Sequence, residues 1–140
     1  MPKTLSDLEA KRKTLYRRLE DLGDFRPGII SVRFRRCGKK NCACAREGHP
    51  GHGPLYLWNT TRKGKSLAEN LRLGPELEKA EREIETYRQF EHLRQQLVEV
   101  NEEICRLRPV PEMKDEEELT ALKKKLQRRF LKRQKGKWRG

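Results

Sequence analysis

The hydrophobic positions near the start of the chain follow a helical repeat. Leucines recur at alternating steps of three and four between residues 5 and 22, and Arg12 occupies the one polar position of this stripe. The spacing predicts an amphipathic helix with one apolar face. Ser6 with Glu9 predicts a capping box at its start, and Gly23 predicts its end.

A second helical stripe begins after Pro75. No Gly or Pro interrupts residues 76–108, and apolar residues recur there at steps of three and four. A helix of this length extends about 50 Å, so the N-terminal helix can cover only about half of its stripe as an antiparallel pair. We therefore expect the rest of helix 75–107 to contact the C-terminal helix, another copy of the chain or a protein partner. Cys105 is expected to be a buried thiol beside this stripe.

Between the two helices the period changes to two. Apolar and polar residues alternate from Ile30 to Arg35, which predicts a half-buried strand with basic residues on its outer face. A second strand is predicted over residues 55–60. Residues 62–65 then predict a turn with a strongly basic tip, and residues 66–73 the returning strand of a hairpin.

Two aromatic residues of the second strand, Tyr56 and Trp58, share one face. Facing outward beside Arg33 and Arg35, they would offer stacking surfaces for bases. Facing inward, they would form core, which is the interpretation we favour for Trp58 because a small sheet has few other large apolar residues.

Three of the four cysteines fall within eight residues, as Cys37, Cys42 and Cys44, and His49 and His52 follow in a loop of Gly and Pro. Thiolates and imidazoles at short spacing are typical zinc ligands. We predict a structural Zn2+ site of the Cys3His type, with His52 as the fourth ligand because it precedes the next apolar run, and His49 as the alternative. Free surface thiols are the competing interpretation.

A disulfide fits this cluster poorly, because three local cysteines leave one unpaired. No hydrophobic signal segment precedes the chain, so we expect a reducing, cytoplasmic setting in which disulfides are rare.

These elements define the expected fold. We predict an α+β, mostly helical protein in which antiparallel, coiled-coil-like helices flank a small zinc-stapled β-hairpin unit, followed by a basic C-terminal helix. The prolines at 109 and 111 end the long helix, so the predicted domains are residues 1–108 and 109–140.

Charge adds a candidate partner. The chain has a net charge of +13, with 34% hydrophobic and 39% charged residues. Residues 31–72 hold ten Lys or Arg against two acids, residues 75–107 five against nine, and residues 121–140 ten against none. Two basic zones separated by an acidic helix favour a polyanionic partner such as nucleic acid. No apolar run is long enough to cross a bilayer, so no membrane partner is expected.

The motifs resemble a known family. The run Phe25–Gly28, the Cys-Gly-Lys-x-x-Cys-x-Cys pattern from Cys37 to Cys44, and the His-Gly-Pro-Leu-Tyr continuation from His52 to Tyr56 are similar to an uncharacterised family of small bacterial and archaeal proteins. It is a domain of unknown function, sometimes found beside transposase genes. The resemblance covers approximately residues 1–107 and implies a stable architecture and a mobile-element context, without an established activity.

Catalysis is the poorest fit to these residues, because no nucleophile has an evident base and the cysteine-rich site is filled by protein ligands. We predict a non-enzymatic, zinc-containing nucleic-acid-binding protein, DNA or RNA, as an accessory to a transposase-like nucleoprotein complex. An assembly or adaptor protein acting through its helices is the alternative. The predicted phosphate contacts are Arg33, Arg35, Arg36, Lys39, Lys40, Arg62, Lys63, Lys65, Lys123, Lys124, Lys125, Arg128, Arg129, Lys132 and Arg133.

Overall fold

A computed structural model describes residues 3–138 of the chain. It divides into two compact units, Met1–Arg106 and Leu107–Gly140. The elements in chain order are α1 (Leu5–Glu20), β1 (Ile29–Arg35), β2 (His52–Arg62), β3 (Lys65–Leu71), α2 (Pro75–Leu107) and α3 (Glu116–Trp138). The predicted α+β class, with three helices and a small antiparallel sheet, is confirmed.

The cap of α1 differs from the predicted one. Thr4 is the N-cap: its Oγ1 accepts from the Asp7 backbone N–H at 3.1 Å, and the Thr4 N–H donates to Asp7 Oδ2 at 3.2 Å. The Ser6 and Glu9 box predicted from sequence is therefore wrong. Both pairs have the required spacing, but capping at Thr4 lets Leu5 enter the helix and contact the core.

The main core lies between α1 and the C-terminal half of α2. Leu8 and Leu15 pack with Leu93, Val100 and Ile104, and each of the five is at most 4% exposed. Fully burying such a side chain stabilises the fold by roughly 1.5–3 kcal/mol. The leucine stripe of α1 thus faces the core, as the sequence predicts.

The two helices run antiparallel. Arg12 Nη1, in the middle of α1, donates to Asn101 Oδ1 at 3.1 Å, whereas Leu22, just beyond α1, borders the same depression as Leu93. Asn101 also donates to the Leu97 carbonyl at 2.9 Å, so both polar side chains have partners inside the apolar stripe. This polar pair connects α1 and α2 within their apolar interface.

Cys105 is exposed, and the prediction of a buried thiol is wrong. It follows the buried Ile104 directly, and one residue turns about 100° around a helix axis. That rotation moves its side chain off the apolar stripe.

The sheet has the strand order β1-β2-β3, antiparallel throughout. Residues opposite each other share a face, so Ile30 and Trp58 lie on one face, and Ser31, Leu57 and Asn70 lie on the other. By the alternation of β1, Arg33 belongs to the second face. The aromatic residues of β2 therefore do not accompany Arg33, and the structure gives no support to the stacking interpretation.

Burial along β1 is less than the alternation predicts. Val32 is 56% exposed and Phe34 48% exposed, and only Ile30 and Ser31 are half-buried. A sheet of three short strands meets few large side chains in the described part of the chain, so most of β1 stays in contact with solvent.

Residues 25–28 join the sheet to α2. Arg26 Nη2 lies 2.7 Å from Glu83 Oε1, and its guanidinium carbon lies 4.6 Å from the centroid of the Trp58 ring. Trp58 Nε1 donates to the Pro27 carbonyl at 2.7 Å. We call Arg26, Trp58 and Glu83 the Arg26 joint. Beside it, Phe25 stacks on Phe90 of α2 with ring centroids 4.8 Å apart.

The second unit contains α3. Asp115 Oδ1 accepts from the Glu117 N–H at 2.9 Å and so caps its first turn. Leu119 and Leu126 are half-buried, whereas Phe130 is 59% exposed. In the described residues, no helix combines the length and apolar character needed to cross a membrane.

Candidate metal centre and basic surface

The cysteines lie in the loop between β1 and β2, residues 36–51, which we call the cysteine loop. Cys37 follows the end of β1 by two residues, and Cys42 precedes a short 3-10 helix, Ala43–Ala45, that carries Cys44. The loop is built from tight turns, including the Cys42 N–H donating to the Lys39 carbonyl at 3.3 Å. It returns at His52, the first residue of β2, which pairs with Arg35 of β1.

This path brings four potential ligands together. The Sγ atoms of Cys37, Cys42 and Cys44 and a ring nitrogen of His52 all lie within 4.8 Å of one another. Cys37 Sγ and Cys44 Sγ are 3.5 Å apart, and Cys42 Sγ is 3.1 Å from His52 Nε2. We call this group the Cys3His cluster.

The cluster has the donor set and the size for a tetrahedral metal ion. A metal to sulfur distance of about 2.3 Å places two sulfurs of a tetrahedron about 3.8 Å apart. The two short distances in the cluster lie within less than an ångström of that spacing, so small rotations of the side chains would seat an ion. Three sulfurs and one imidazole suit a borderline-soft cation and do not suit Ca2+ or Mg2+.

The thiols of Cys37 and Cys44 have pKa values shifted in opposite directions. The backbone N–H of Lys39, followed by hydrogen bonds with His52 and Cys44, lowers the pKa of Cys37 to about 6. For Cys44, a backbone hydrogen bond from Cys37 lowers the pKa, but burial and the sulfurs of Cys37 and Cys42 outweigh it and raise the pKa above its usual value. A bound cation would favour the thiolate form of both.

The two histidines have different roles. His49 is absent from the cluster, and its Nδ1 accepts from the Gly51 backbone N–H at 3.0 Å. His52 Nε2 faces Cys42 instead. The geometry therefore favours His52 over His49 as the fourth ligand, because a ring nitrogen of His49 is already used by the loop backbone.

Basic side chains surround the cluster. Five of them lie in β1 or the cysteine loop and are exposed: Arg33, Arg35, Arg36, Lys39 and Lys40. Arg35 borders a small pocket together with Cys37 and His52. Three further predicted residues, Arg62, Lys63 and Lys65, lie at the far end of the sheet, at the turn between β2 and β3.

Arg36 has a structural contact that the sequence did not predict. Its Nη2 donates to the His49 carbonyl at 3.0 Å and so ties the start of the cysteine loop to its end. The contact joins residues 13 apart in an irregular loop, for which spacing gives no signal. One predicted phosphate contact thus also supports the cysteine loop.

The remaining predicted basic residues lie on α3 in the second unit. All seven are exposed: Lys123, Lys124, Lys125, Arg128, Arg129, Lys132 and Arg133. Arg133 lies over the ring of Phe130 at 5.3 Å. Their distribution around the helix gives α3 a basic surface of its own.

Ion pairing distinguishes the basic surfaces from α2. Every ion pair among the described residues uses a carboxylate of α2, as in Arg88 with Glu85 at 3.2 Å and Arg94 with Glu91 at 3.1 Å. In this part of the chain, none of the fifteen predicted phosphate contacts has such a partner. Five carboxylates of α2 are thus paired with a cation, whereas the predicted phosphate contacts around the cluster, at the hairpin turn and on α3 have no such pairing in the described residues.

Comparison with known proteins identifies a family. No curated protein and no solved structure matches the chain. A family model described as "Domain of unknown function (DUF6788)" matches residues 5–82, which include α1, the whole sheet and the Cys3His cluster. Because the match covers more than half of the 140 residues, the protein belongs to the DUF6788 family, as its motifs predict.

Proposed function

We propose that the protein is a non-enzymatic nucleic-acid-binding protein in which a zinc ion holds the cysteine loop against the sheet. Cys37, Cys42, Cys44 and His52 would bind the ion through three sulfurs and one nitrogen. Four protein ligands complete a tetrahedral shell and leave no open position, which is typical of structural zinc and not of catalytic zinc.

A bound ion would supply rigidity that the loop otherwise lacks. The cysteine loop buries little apart from Cys44, which is 1% exposed, and its backbone bonds are short turns. Metal binding contributes directly to the folding free energy of such small units. Arg35, Arg36, Lys39 and Lys40 would thereby be held in fixed positions beside the cluster. Thiolate ligands of this kind are compatible with the cytoplasmic setting proposed from the sequence.

The single observation that carries the proposal is the set of exposed basic side chains that have no acidic partner among residues 3–138. Arg33 of β1 lies on the sheet face that does not carry Trp58, Arg35 follows it beyond an irregularity in the pairing, and Lys39 and Lys40 lie in the loop after β1. Unpaired, exposed cations are the groups that bind backbone phosphates and release counterions. The basic surface of α3 would add further non-specific affinity.

The experiment is a salt titration of binding. Fluorescence anisotropy with a labelled 20-bp DNA duplex is expected to show an affinity that falls steeply between 50 and 200 mM salt, and each phosphate contact adds about 0.9 to the slope of log K against log salt. Arg33→Ala with Arg35→Ala should reduce the slope by about 1.8. The matched control is Arg88→Ala with Arg94→Ala, whose side chains pair with acids of α2. An affinity that salt does not change would refute the proposal.

The metal is tested separately. Cys42→Ser is expected to lose a stoichiometric zinc measured by mass spectrometry, whereas Cys105→Ser, outside the cluster, keeps it. Full zinc content and native folding in Cys42→Ser would refute the ligand assignment.

A second candidate is assembly through α2, in the manner of a coiled coil. It is favoured by a shallow apolar depression that α1 leaves open near the end of α2, bordered by Val98 and Cys105, with Val98 45% exposed. This function predicts a mass that rises with concentration in light scattering and does not change when the basic residues are replaced. A role beside a transposase in a nucleoprotein complex would combine both functions and stays a prediction from the family resemblance.

A further inference from the structure

The end of the β2–β3 hairpin projects beyond the rest of the sheet. The first pair between β1 and β2 is Ile29 with Asn59, and three more pairs of β2 with β3 follow without any β1 partner. We call residues 60–67, which form these three pairs and the turn, the hairpin tip. At about 3.4 Å per residue, the tip extends about 10 Å past the end of β1.

The backbone of the tip is sharply defined. Lys63 and Gly64 form its turn, and both have positive φ values, 51° and 77°. Positive φ at both central residues is the geometry of a type I′ turn, whose twist matches that of the flanking strands. The tip is therefore a narrow, twisted two-stranded ribbon and not an irregular loop.

The side chains of residues 61–67 are exposed, and all the charged side chains of the tip are positive. Arg62, Lys63 and Lys65 are exposed, and no acidic residue lies within residues 60–67. Arg62 and Lys65 are opposite each other and share a face, whereas the hydroxyls of Thr61 and Ser66 share the other. In the described part of the chain, none of the three cations has an ion pair.

Such a shape fits one type of nucleic-acid groove. The major groove of B-form DNA is about 12 Å wide and about 8.5 Å deep and admits a two-stranded ribbon, whereas the minor groove is about 6 Å wide. The major groove of A-form RNA is too narrow for side chains to enter. The projection of about 10 Å matches the depth of the B-form groove, and the short side chains of Thr60, Thr61 and Ser66 keep the ribbon thin.

We propose that the hairpin tip inserts into the major groove of double-stranded DNA. The inference rests on the proposed nucleic-acid-binding function and deepens it, because it names B-form duplex DNA as the ligand. Arg62 and Lys65 donate there to the O6 and N7 acceptors of guanine, and the hydroxyls of Thr61 and Ser66 contact base edges or phosphates on the other face. The basic residues near the cluster then bind phosphates outside the groove.

The experiment compares three labelled ligands of equal length with the zinc-loaded full chain. They are a 20-bp DNA duplex, an RNA duplex of the same sequence and the single DNA strand. The DNA duplex is expected to bind about tenfold more tightly than the other two at 150 mM salt. Arg62→Ala with Lys65→Ala should weaken binding of the DNA duplex by about tenfold and abolish the preference for it over the other two ligands. Both side chains are exposed, and circular dichroism and zinc content verify that the variant is folded.

The matched control is Lys123→Ala with Lys124→Ala on α3, which removes the same number of charges. This control is expected to weaken binding of all three ligands to a similar extent, so the preference for the DNA duplex should persist. Methylation of guanine N7 by dimethyl sulfate locates the tip, since N7 lies in the major groove. The wild-type chain should protect guanines of the duplex, and the tip variant should not.

The outcomes separate this inference from the proposed function. Absence of binding to all three ligands overturns the proposed function. Salt-dependent binding with no preference for the DNA duplex, or with guanine N7 equally protected by the wild type and the tip variant, overturns the inference alone.

Discussion

Replacement of Arg26 by alanine tests how the sheet is attached to α2. Arg26 is the centre of the Arg26 joint: its guanidinium lies 2.7 Å from Glu83 Oε1 and 4.6 Å from the centroid of the Trp58 ring. Glu83 Oε1 is buried and accepts no hydrogen bond in the described residues. The positive charge of Arg26 is therefore the main interaction that offsets the cost of burying this oxygen.

The magnitude follows from burial. The Arg26 side chain is 24% exposed and the Glu83 side chain is 13% exposed, so this ion pair is partly buried. An exposed ion pair contributes about 0.2–1 kcal/mol, whereas disruption of a buried one costs about 3–5 kcal/mol. An intermediate value of about 2 kcal/mol applies to the lost pair, and the contact with the Trp58 ring adds about 0.5–1 kcal/mol. Arg26→Ala should thus lower the free energy of unfolding by about 2–3 kcal/mol.

Urea unfolding of the zinc-loaded chain, followed by circular dichroism at 222 nm, measures this change. Glu85→Gln is the matched control, because Glu85 pairs with Arg88 on the same helix but is 59% exposed. The control should change stability by less than about 0.5 kcal/mol. An Arg26→Ala variant no less stable than Glu85→Gln would refute the reasoning.

A pH series tests the electrostatic part of the same joint. A hydrogen bond from Lys79 and the charge of Arg26 hold the pKa of Glu83 below its usual value of 4.5, although burial opposes the shift. A lowered pKa in the folded state means that the stabilisation is complete above pH 4.5 and is lost as pH falls through the folded value. The stability difference between the wild type and Glu83→Gln should therefore shrink in acid. A difference that does not depend on pH would contradict the ion pair.

Three further predictions concern the core, the metal centre and a turn. Leu8→Ala, which removes a side chain that is 1% exposed, should cost about 2–5 kcal/mol in urea unfolding, whereas Val98→Ala, at 45% exposed, should cost under about 1 kcal/mol. His52→Ala should alter the absorption spectrum of bound Co2+ and weaken metal binding, whereas His49→Ala should preserve the spectrum; the opposite pattern would exchange their assignments. Gly28→Ala should lower the free energy of unfolding by at least about 1 kcal/mol, because φ of Gly28 is +106° and the added Cβ would collide with a backbone oxygen of β2. An unchanged melting temperature would contradict this prediction.

Local patterns predicted the elements that depend on local chemistry. The leucine spacing of α1 and the long uninterrupted stripe of α2 identified the helices, since a period near 3.6 is imposed by the helix itself. The crowding of Cys37, Cys42 and Cys44 identified three of the four potential metal ligands that the structure brings together. His52 was preferred to His49 from its position before the next apolar run, and the structure brings His52 and not His49 next to the three cysteines.

Contacts between residues far apart in the chain could not be predicted from the sequence patterns. Arg26 and Glu83 are more than fifty residues apart, and nothing in either local pattern distinguishes them from the exposed charges nearby. The exposure of Cys105 shows the same limit at short range, because a single step around the helix decides whether a thiol contacts the core. The projecting hairpin tip likewise depends on where β1 begins to pair, which strand propensity alone does not determine.

The pairing of α1 with the far half of α2 has a consequence for biosynthesis. The bond between Arg12 and Asn101 spans 89 positions, so α1 is synthesised well before the part of α2 that covers its leucines. Contacts of such large sequence separation form slowly, and apolar surface left uncovered in the meantime invites association with other nascent chains. Until that part of α2 has been synthesised, the apolar face of α1 therefore lacks the partner that covers it in the folded chain.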